Sequence, residues 1–153
     1  MSVLGITSTL VRRPLNTAVI HGSAVTLQCS SDASSSVIVL LWYNSLCVTT
    51  TQHFSQCTED IIYNGYGFAS DVTPTFWVTN ATNATHVTRD LHISPVQLAD
   101  AGVYFCAEQQ PGVAGVTDSS SAQLIVLGNC SHVAMCKVRK VGQVVYVADN
   151  DDQ

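Results

Sequence analysis

At 153 residues the chain can bury one sizeable core with an appendage, and it falls short of two complete domains of ordinary size. Charged residues make up only 11% and apolar residues 46%, with Ser and Thr abundant, a balance that suits short strands and polar turns better than solvated helices. Six Lys and Arg against eleven Asp and Glu give a formal charge of -5, so no chain-wide positive field gathers phosphate backbones, and nucleic acid is not an expected partner.

Residues 1–11 are mildly apolar, yet they lack a basic start and are broken by Ser and Thr; they do not make a secretory signal, and Met1 reads as a start residue on a mature fragment. Ala24-Val25-Thr26-Leu27-Gln28-Cys29 alternates, with Val25, Leu27 and Cys29 on one face and Thr26 and Gln28 on the other, which predicts a half-buried strand. Val37 to Tyr43 is a β-branched and aromatic run between Ser34–Ser36 and Asn44-Ser45, the pattern of a central strand. Its apolar stretch, Val37 to Trp42, is far below the roughly 20 residues that cross a bilayer. Further strands are predicted at Thr75–Thr79, Leu91–Ile93, Val103–Cys106 and Ala122–Leu127. The prolines, at 14, 74, 95 and 111, fall between these runs, and Ser94 to Gly102 has room for one helical turn at most. Many short strands separated by turns predict an all-β sandwich or barrel.

The pattern changes after Leu127. Gly128-Asn129-Cys130-Ser131 reads as a turn, and Val133 to Lys140 holds three of the six basic residues. Val145-Tyr146-Val147-Ala148-Asp149-Asn150 echoes Ala18-Val19-Ile20-His21-Gly22-Ser23, the approach to the first cysteine strand. The expected division is therefore a domain over 1–127, and over 128–153 a linker with the truncated first strand of a second domain of the same kind.

Six cysteines, Cys29, Cys47, Cys57, Cys106, Cys130 and Cys136, imply a disulfide framework in an extracellular setting, with fifteen connectivities open. Asn-X-Ser/Thr acceptors at Asn80, Asn83 and Asn129 point to the same compartment.

Trp42 follows Cys29 by thirteen residues, and the segment Leu91-X-Ile93-X-X-Val96-Gln97-X-X-Asp100-X-Gly102-X-Tyr104-X-Cys106 ends in the fourth cysteine. Over about residues 6–127 this combination resembles the immunoglobulin superfamily. The resemblance implies a Greek-key β-sandwich in which Cys29 and Cys106 join the two sheets, Trp42 packs on the bridge, and Tyr104 closes a corner near Asp100. Such a bridge closes a loop of about 78 residues and removes roughly 4–5 kcal/mol of unfolded-state entropy on the loop-closure model. These residues are expected to hold the domain together rather than touch a ligand. The span between Trp42 and Thr75 leaves room for two extra edge strands, which implies the V-set arrangement of about nine strands.

This chain also departs from the family pattern. Arg89 is the nearest candidate partner for Asp100, and the aromatic-Gly-X-Gly bulge of antigen receptors is missing before Ser119–Leu127. Cys47 and Cys57, past the Trp strand, resemble the extra front-sheet bridge of some innate immune receptors. Cys130 and Cys136 are expected to form a local clasp, the alternative being bonds to other chains.

Metal binding is not expected. Cys47, His53 and Cys57, like Cys130, His132 and Cys136, lack the Cys-X2–4-Cys spacing of structural zinc, and Asp149-Asn150-Asp151-Asp152 reads as an acidic linker before a calcium site. No hydrolase, zinc-peptidase or phosphate-loop motif occurs, so the chain is read as not an enzyme and as needing no cofactor.

The resemblance implies binding through the outer face of the front sheet or through loops at one end. Tyr43, opposite in phase to Trp42, is the candidate on that face. Glu108 to Ser119, with Gln109, Gln110 and Pro111, stands where a third hypervariable loop would, the blander alternative being a plain hairpin. Tyr63, Tyr66 and Phe68 are either an aromatic binding patch or ordinary edge packing. The expected role is an extracellular, cell-surface or secreted, protein-recognition module of an immune-type receptor. Homophilic or heterophilic adhesion is the alternative, and a soluble carbohydrate-binding module the third. The expected partner is a protein ligand or another immunoglobulin-like domain, including a second copy of itself as a homodimer, with a membrane reached only through a downstream segment.

Overall fold

The computed structural model describes residues 8–33, 38–45, 59–63, 75–128, 135–140 and 143–148. Within these, the strands form two sheets. The back sheet holds β1 (Leu10–Arg12), β3 (Val25–Leu27), β4 (Ser30–Ser31), β7 (Phe76–Thr82) and β8 (Val87–Ile93), with β8 central between β3/β4 and β7. The front sheet runs β12 (Gln143–Ala148), β11 (Met135–Lys140), β10 (Asp118–Leu127), β9 (Gly102–Gln109), β5 (Val39–Ser45), β6 (Glu59–Tyr63), and β2 (Thr17–Ile20) lies parallel to β10. This is the two-layer all-β sandwich that the strand spacing predicts.

Alternation explains the layering. Val25, Leu27, Leu91 and Ile93 from the back sheet meet Leu40, Trp42, Tyr104, Leu124 and Val126 from the front sheet in one core. The opposite face of β5 and β9 carries a second apolar cluster, Leu41, Tyr43, Val103, Phe105 and Ala107, which accounts for a β9 buried on both sides.

Cys29 and Cys106 are bonded across the core with Cα atoms 6.4 Å apart, and both are fully buried. Cys29 stands opposite Arg89, because the register that pairs Leu27 with Leu91 continues to Ser30 with Thr88. Only half of the expected rung forms there. The Arg89 amide donates to the Cys29 carbonyl at 2.9 Å, but the Arg89 carbonyl accepts the Trp42 indole N–H at 2.7 Å. The displaced Cys29 amide instead donates to Asp90 Oδ1 at 2.9 Å, so no polar group is stranded.

The N-terminal segment changes sheets between β1 and β2. Pro14, buried at the switch, has no N–H to leave unpaired. Arg13 pairs with Asp118 at 2.8 Å, and Asn16 Oδ1 accepts the Gln123 amide at 2.8 Å. Gly22, at φ +85, supplies the left-handed residue for the turn that closes Ser23 N–H onto the Ile20 carbonyl.

After Gly128 the chain returns as the β11–β12 hairpin, bonded to β10 through the pairs Val126–Arg139 and Leu127–Val138. Leu124 pairs with both β9 and β2, so these flank β10 on opposite sides; β11 then takes the β9 side beyond the end of β9.

Asp90→Ala removes the acceptor of the buried Cys29 amide and is expected to cost about 1–3 kcal/mol, against a smaller loss for Asp90→Asn. Urea denaturation gives the cost, and faster hydrogen exchange at Cys29 identifies the bond lost.

Candidate functional site

The inward phase of β9 runs Tyr104, Cys106, Glu108, which carries a carboxylate into the end of the core. Glu108 is fully buried. Ser31 donates to its Oε2 and Ser8 to its Oε1, and the single Thr117 hydroxyl proton is shared between Oε1 at 3.1 Å and the Glu108 carbonyl at 3.0 Å. The ion pairs among the described residues, Arg12–Asp90 and Arg13–Asp118, do not involve it. Three hydroxyls thus satisfy the carboxylate, and the network ties the N-terminal segment and β4 to the foot of the β9–β10 connection.

That connection is shorter than the sequence predicts. The ladder pairs Glu108 with Asp118 and Ala107 with Ser119, so the loop is residues 110–117 rather than 108–119. It opens with a turn in which the Val113 amide donates to the Gln110 carbonyl, with Pro111 and then Gly112 at φ +80, the residue types that a type II turn selects. The Thr117 amide closes the loop on the Glu108 carbonyl at 2.8 Å.

Under the turn is a half-open cavity of about 280 Å³, floored by Val39 and Leu41 and rimmed by Gln109, Gln110, Pro111, Gly112 and Val113. Val113 is 46% exposed. Three of the sequence-derived candidates, Gln109, Gln110 and Pro111, therefore share one site; Val113 lies within the loop that the sequence singles out, whereas Val39, Leu41 and the hydroxyl network on Glu108 are not anticipated there. The signal available for Glu108 was its phase, since it is the charged residue two positions beyond Cys106.

Two other candidates need correction. Tyr43 lies on the outer phase of β5 but is only 9% exposed, since it pairs with Phe105 and packs into the second apolar cluster. Tyr63 is a core residue: β6 bulges so that Trp42 pairs with Tyr63 and Tyr43 with Ile61, which buries both Ile62 and Tyr63. Its hydroxyl lies 3.4 Å from Asn80 Oδ1. Tyr66 and Phe68 lie outside the described residues, as do Cys47, Cys57, Cys130 and Asn129; of Cys136 only the backbone is described, in β11.

Asn80 and Asn83 are exposed. Asn83 Oδ1 accepts from the Thr85 amide and hydroxyl and from the His86 amide, which shapes the β7–β8 turn. Tyr104 donates to the Asp100 carbonyl at 2.7 Å, and Asp100 Oδ2 accepts the Gln97 amide. Burial, and then the nearby Asp100 carboxylate, push the Tyr104 phenol well above the usual tyrosine range. Desolvation also raises Asp100, opposed by the Gln97 hydrogen bond. Arg89 does not pair with Asp100; its guanidinium donates to the Thr82 hydroxyl and the Thr88 carbonyl.

The family model of the immunoglobulin domain matches residues 16–118, a stretch that contains the bridge and Trp42. The chain belongs to the immunoglobulin domain family. Among solved structures this immunoglobulin domain is similar to the RIG-5 IG1 homodimer, at TM-score 0.56 and 14% identity over 78% of this chain and 96% of that one. Titin domain I10 matches at TM-score 0.46 and 13% identity over 77% and 96%. No curated protein matches it in sequence. Domains of this fold are protein-interaction modules and typically not enzymes. Among the described residues no His, Cys, Asp and Glu cluster could hold a metal, and no helix is long and apolar enough to cross a membrane.

Glu108→Ala would leave the Ser8 and Ser31 hydroxyls without their carboxylate acceptor and Thr117 with the main-chain carbonyl alone; a loss of about 2–4 kcal/mol in chemical denaturation is expected, with Glu108→Gln milder. Tyr104→Phe is expected to cost about 1 kcal/mol at neutral pH. The phenol is raised in the folded state, so its contribution is full below the unfolded-state value and is lost as pH rises past about 10. The stability gap between Tyr104→Phe and the parent should therefore narrow in alkaline denaturation curves.

Proposed function

We propose that the chain is an extracellular V-type immunoglobulin domain that recognises a protein ligand, in an immune-type receptor, through the 110–117 loop and the cavity beneath it. The V-type assignment is supported by β6, an added front-sheet strand beyond β5, and by the parallel β2–β10 pair at the other edge. The extracellular assignment is supported by the Cys29–Cys106 bridge and by exposed acceptor asparagines at 80 and 83.

The cavity carries the functional reading. At about 280 Å³ it is smaller than the roughly 300–1,000 Å³ typical of small-molecule sites. It suits one inserted side chain, with Val39, Leu41, Pro111 and Val113 as apolar lining and Gln109 and Gln110 as polar lining, the Gln110 Nε2 donating to the Ser8 hydroxyl. A protein partner supplies such an anchor within a wider contact. The loop is pre-shaped by Pro111 and Gly112 and footed on the Glu108 network, so little ordering entropy is lost on binding.

Self-association is the second reading, raised by the RIG-5 IG1 homodimer; it predicts a reversible dimer in sedimentation across a wide concentration range. Segment 128–153, whose hairpin meets β10 through two residue pairs, is proposed to join this domain to a second one. A parent reading frame that resumes with an apolar-X-Cys strand after Gln153 is the expected finding.

Screening multimers of the domain against extracellular ectodomains tests the main reading. Val113→Asp should weaken the partner at least about tenfold, the scale of an interface anchor, while Val11→Ala on the back sheet leaves it unchanged. A partner indifferent to both Val113→Asp and Gln110→Ala would move the site away from this loop.

A further inference from the structure

On the opposite layer, the solvent face of the back sheet carries a built aromatic platform. Trp77 on β7, His92 on β8 and Thr26 on β3 stand in one row, each in register with the next. The Trp77 and His92 rings are stacked, with centroids 5.1 Å apart and planes 8° from parallel. His92 Nδ1 lies 2.8 Å from the Thr26 hydroxyl, and His92 Nε2 is bonded to the Thr79 hydroxyl. With both nitrogens held, the imidazole cannot turn, and it fixes the indole beside it. Trp77 nevertheless stays 46% exposed.

Among the described residues, the groups held beside this indole are hydrogen-bonding: His92, Thr26 and Thr79. Along the same face of β8, Asp90 pairs with Arg12 of β1 at 3.6 Å, and the Arg12 side chain is 44% exposed. A partner protein's apolar anchor wants apolar neighbours, whereas the described side chains that flank Trp77 in the row are His92 and, beyond it, Thr26. A pyranose ring matches better: its C–H face is apolar and weakly positive against the negative face of an indole, and its equatorial hydroxyls can bond the Thr26 and Thr79 hydroxyls, each of which keeps hydrogen-bonding capacity beyond its contact with His92. Because the Arg12 charge is engaged by Asp90, the complementary sugar is neutral.

We propose that Trp77, positioned by His92, is a stacking site for a neutral hexopyranose or N-acetylhexosamine of a glycan. The site stands on a different sheet from the loop cavity, so each proposal survives or fails without the other.

The chain has two tryptophans, and Trp42 is fully buried, so a ligand-induced change in indole emission reports on Trp77. The oxidised chain, produced without glycans at Asn80 and Asn83, is titrated with methyl hexopyranosides, methyl N-acetylhexosaminides and their tri- and tetrasaccharides. Ligand-detected saturation-transfer NMR then compares the parent with Trp77→Ala, Trp77→Phe and His92→Ala. The expected result is saturable binding with a Kd near the millimolar range, weakened at least about tenfold by Trp77→Ala, kept within about threefold by Trp77→Phe and weakened in between by His92→Ala. No saturable change with any sugar up to about 50 mM, or binding unchanged in Trp77→Ala, overturns the proposal. Circular dichroism of each variant establishes that the fold is kept, and Trp77→Phe supplies the readout if Trp77→Ala does not fold.

Discussion

The carbonyl of Arg89 has two claimants, the ladder partner Cys29 and the indole of Trp42, and the indole takes it. That choice locks Trp42, a β5 side chain, onto the back sheet by a directional bond at the same level where Cys29 and Cys106 cross by a covalent one. Two sheets packed by apolar side chains alone have a soft registry, since hydrophobic contact has no direction. A bridge and a buried hydrogen bond side by side remove that freedom. The arrangement is tolerable because Asp90 accepts the amide the ladder gave up, and Asp90 is in turn compensated by Arg12.

With the sheets indexed, the phases of β5 and β9 are set for their whole lengths. Inward positions run to Glu108 at the far end of the core, and outward positions build the cluster of Leu41, Tyr43, Val103 and Phe105. The loop cavity sits where this outer cluster ends. Its floor residues, Val39 and Leu41, are thus in place because of packing decided two turns of the pleat away, and its rim is held by a carboxylate that belongs to the core phase. The recognition end is a product of the interior.

Much of this was legible in the sequence where one residue type has one physical use. The alternation around Cys29, the aromatic-rich run through Trp42 and the Asp100–Cys106 segment each specify a strand and a face, and together they select the family. Legibility failed where two elements decide jointly. Tyr63 reads equally as a binding-patch aromatic or as edge packing, and only the bulge in β6, which turns it inward beside Trp42, decides for packing. Tyr43 has the outer phase, yet burial depends on Phe105 from a distant strand. Glu108, Gln109, Asp118 and Ser119 read as loop, yet they belong to β9 and β10, with Glu108 paired to Asp118 and Ala107 to Ser119, because each strand is there to receive the other. Three hydroxyls from three separate segments around Glu108 have no local signature at all.

The parallel pairing of β2 with β10 has a mechanical side. Thr17 to Ile20 run alongside Leu124 to Leu127 in the same direction, so the chain enters β2 at one end of this short ladder and leaves β10 at the other. Tension along the polypeptide therefore loads these rungs lengthwise and together, in shear, instead of peeling them in succession. A domain strung between a cell and its target would carry pulling forces through this clamp once β1 and the β11–β12 hairpin are drawn taut, at the opposite end of β10 from the loop.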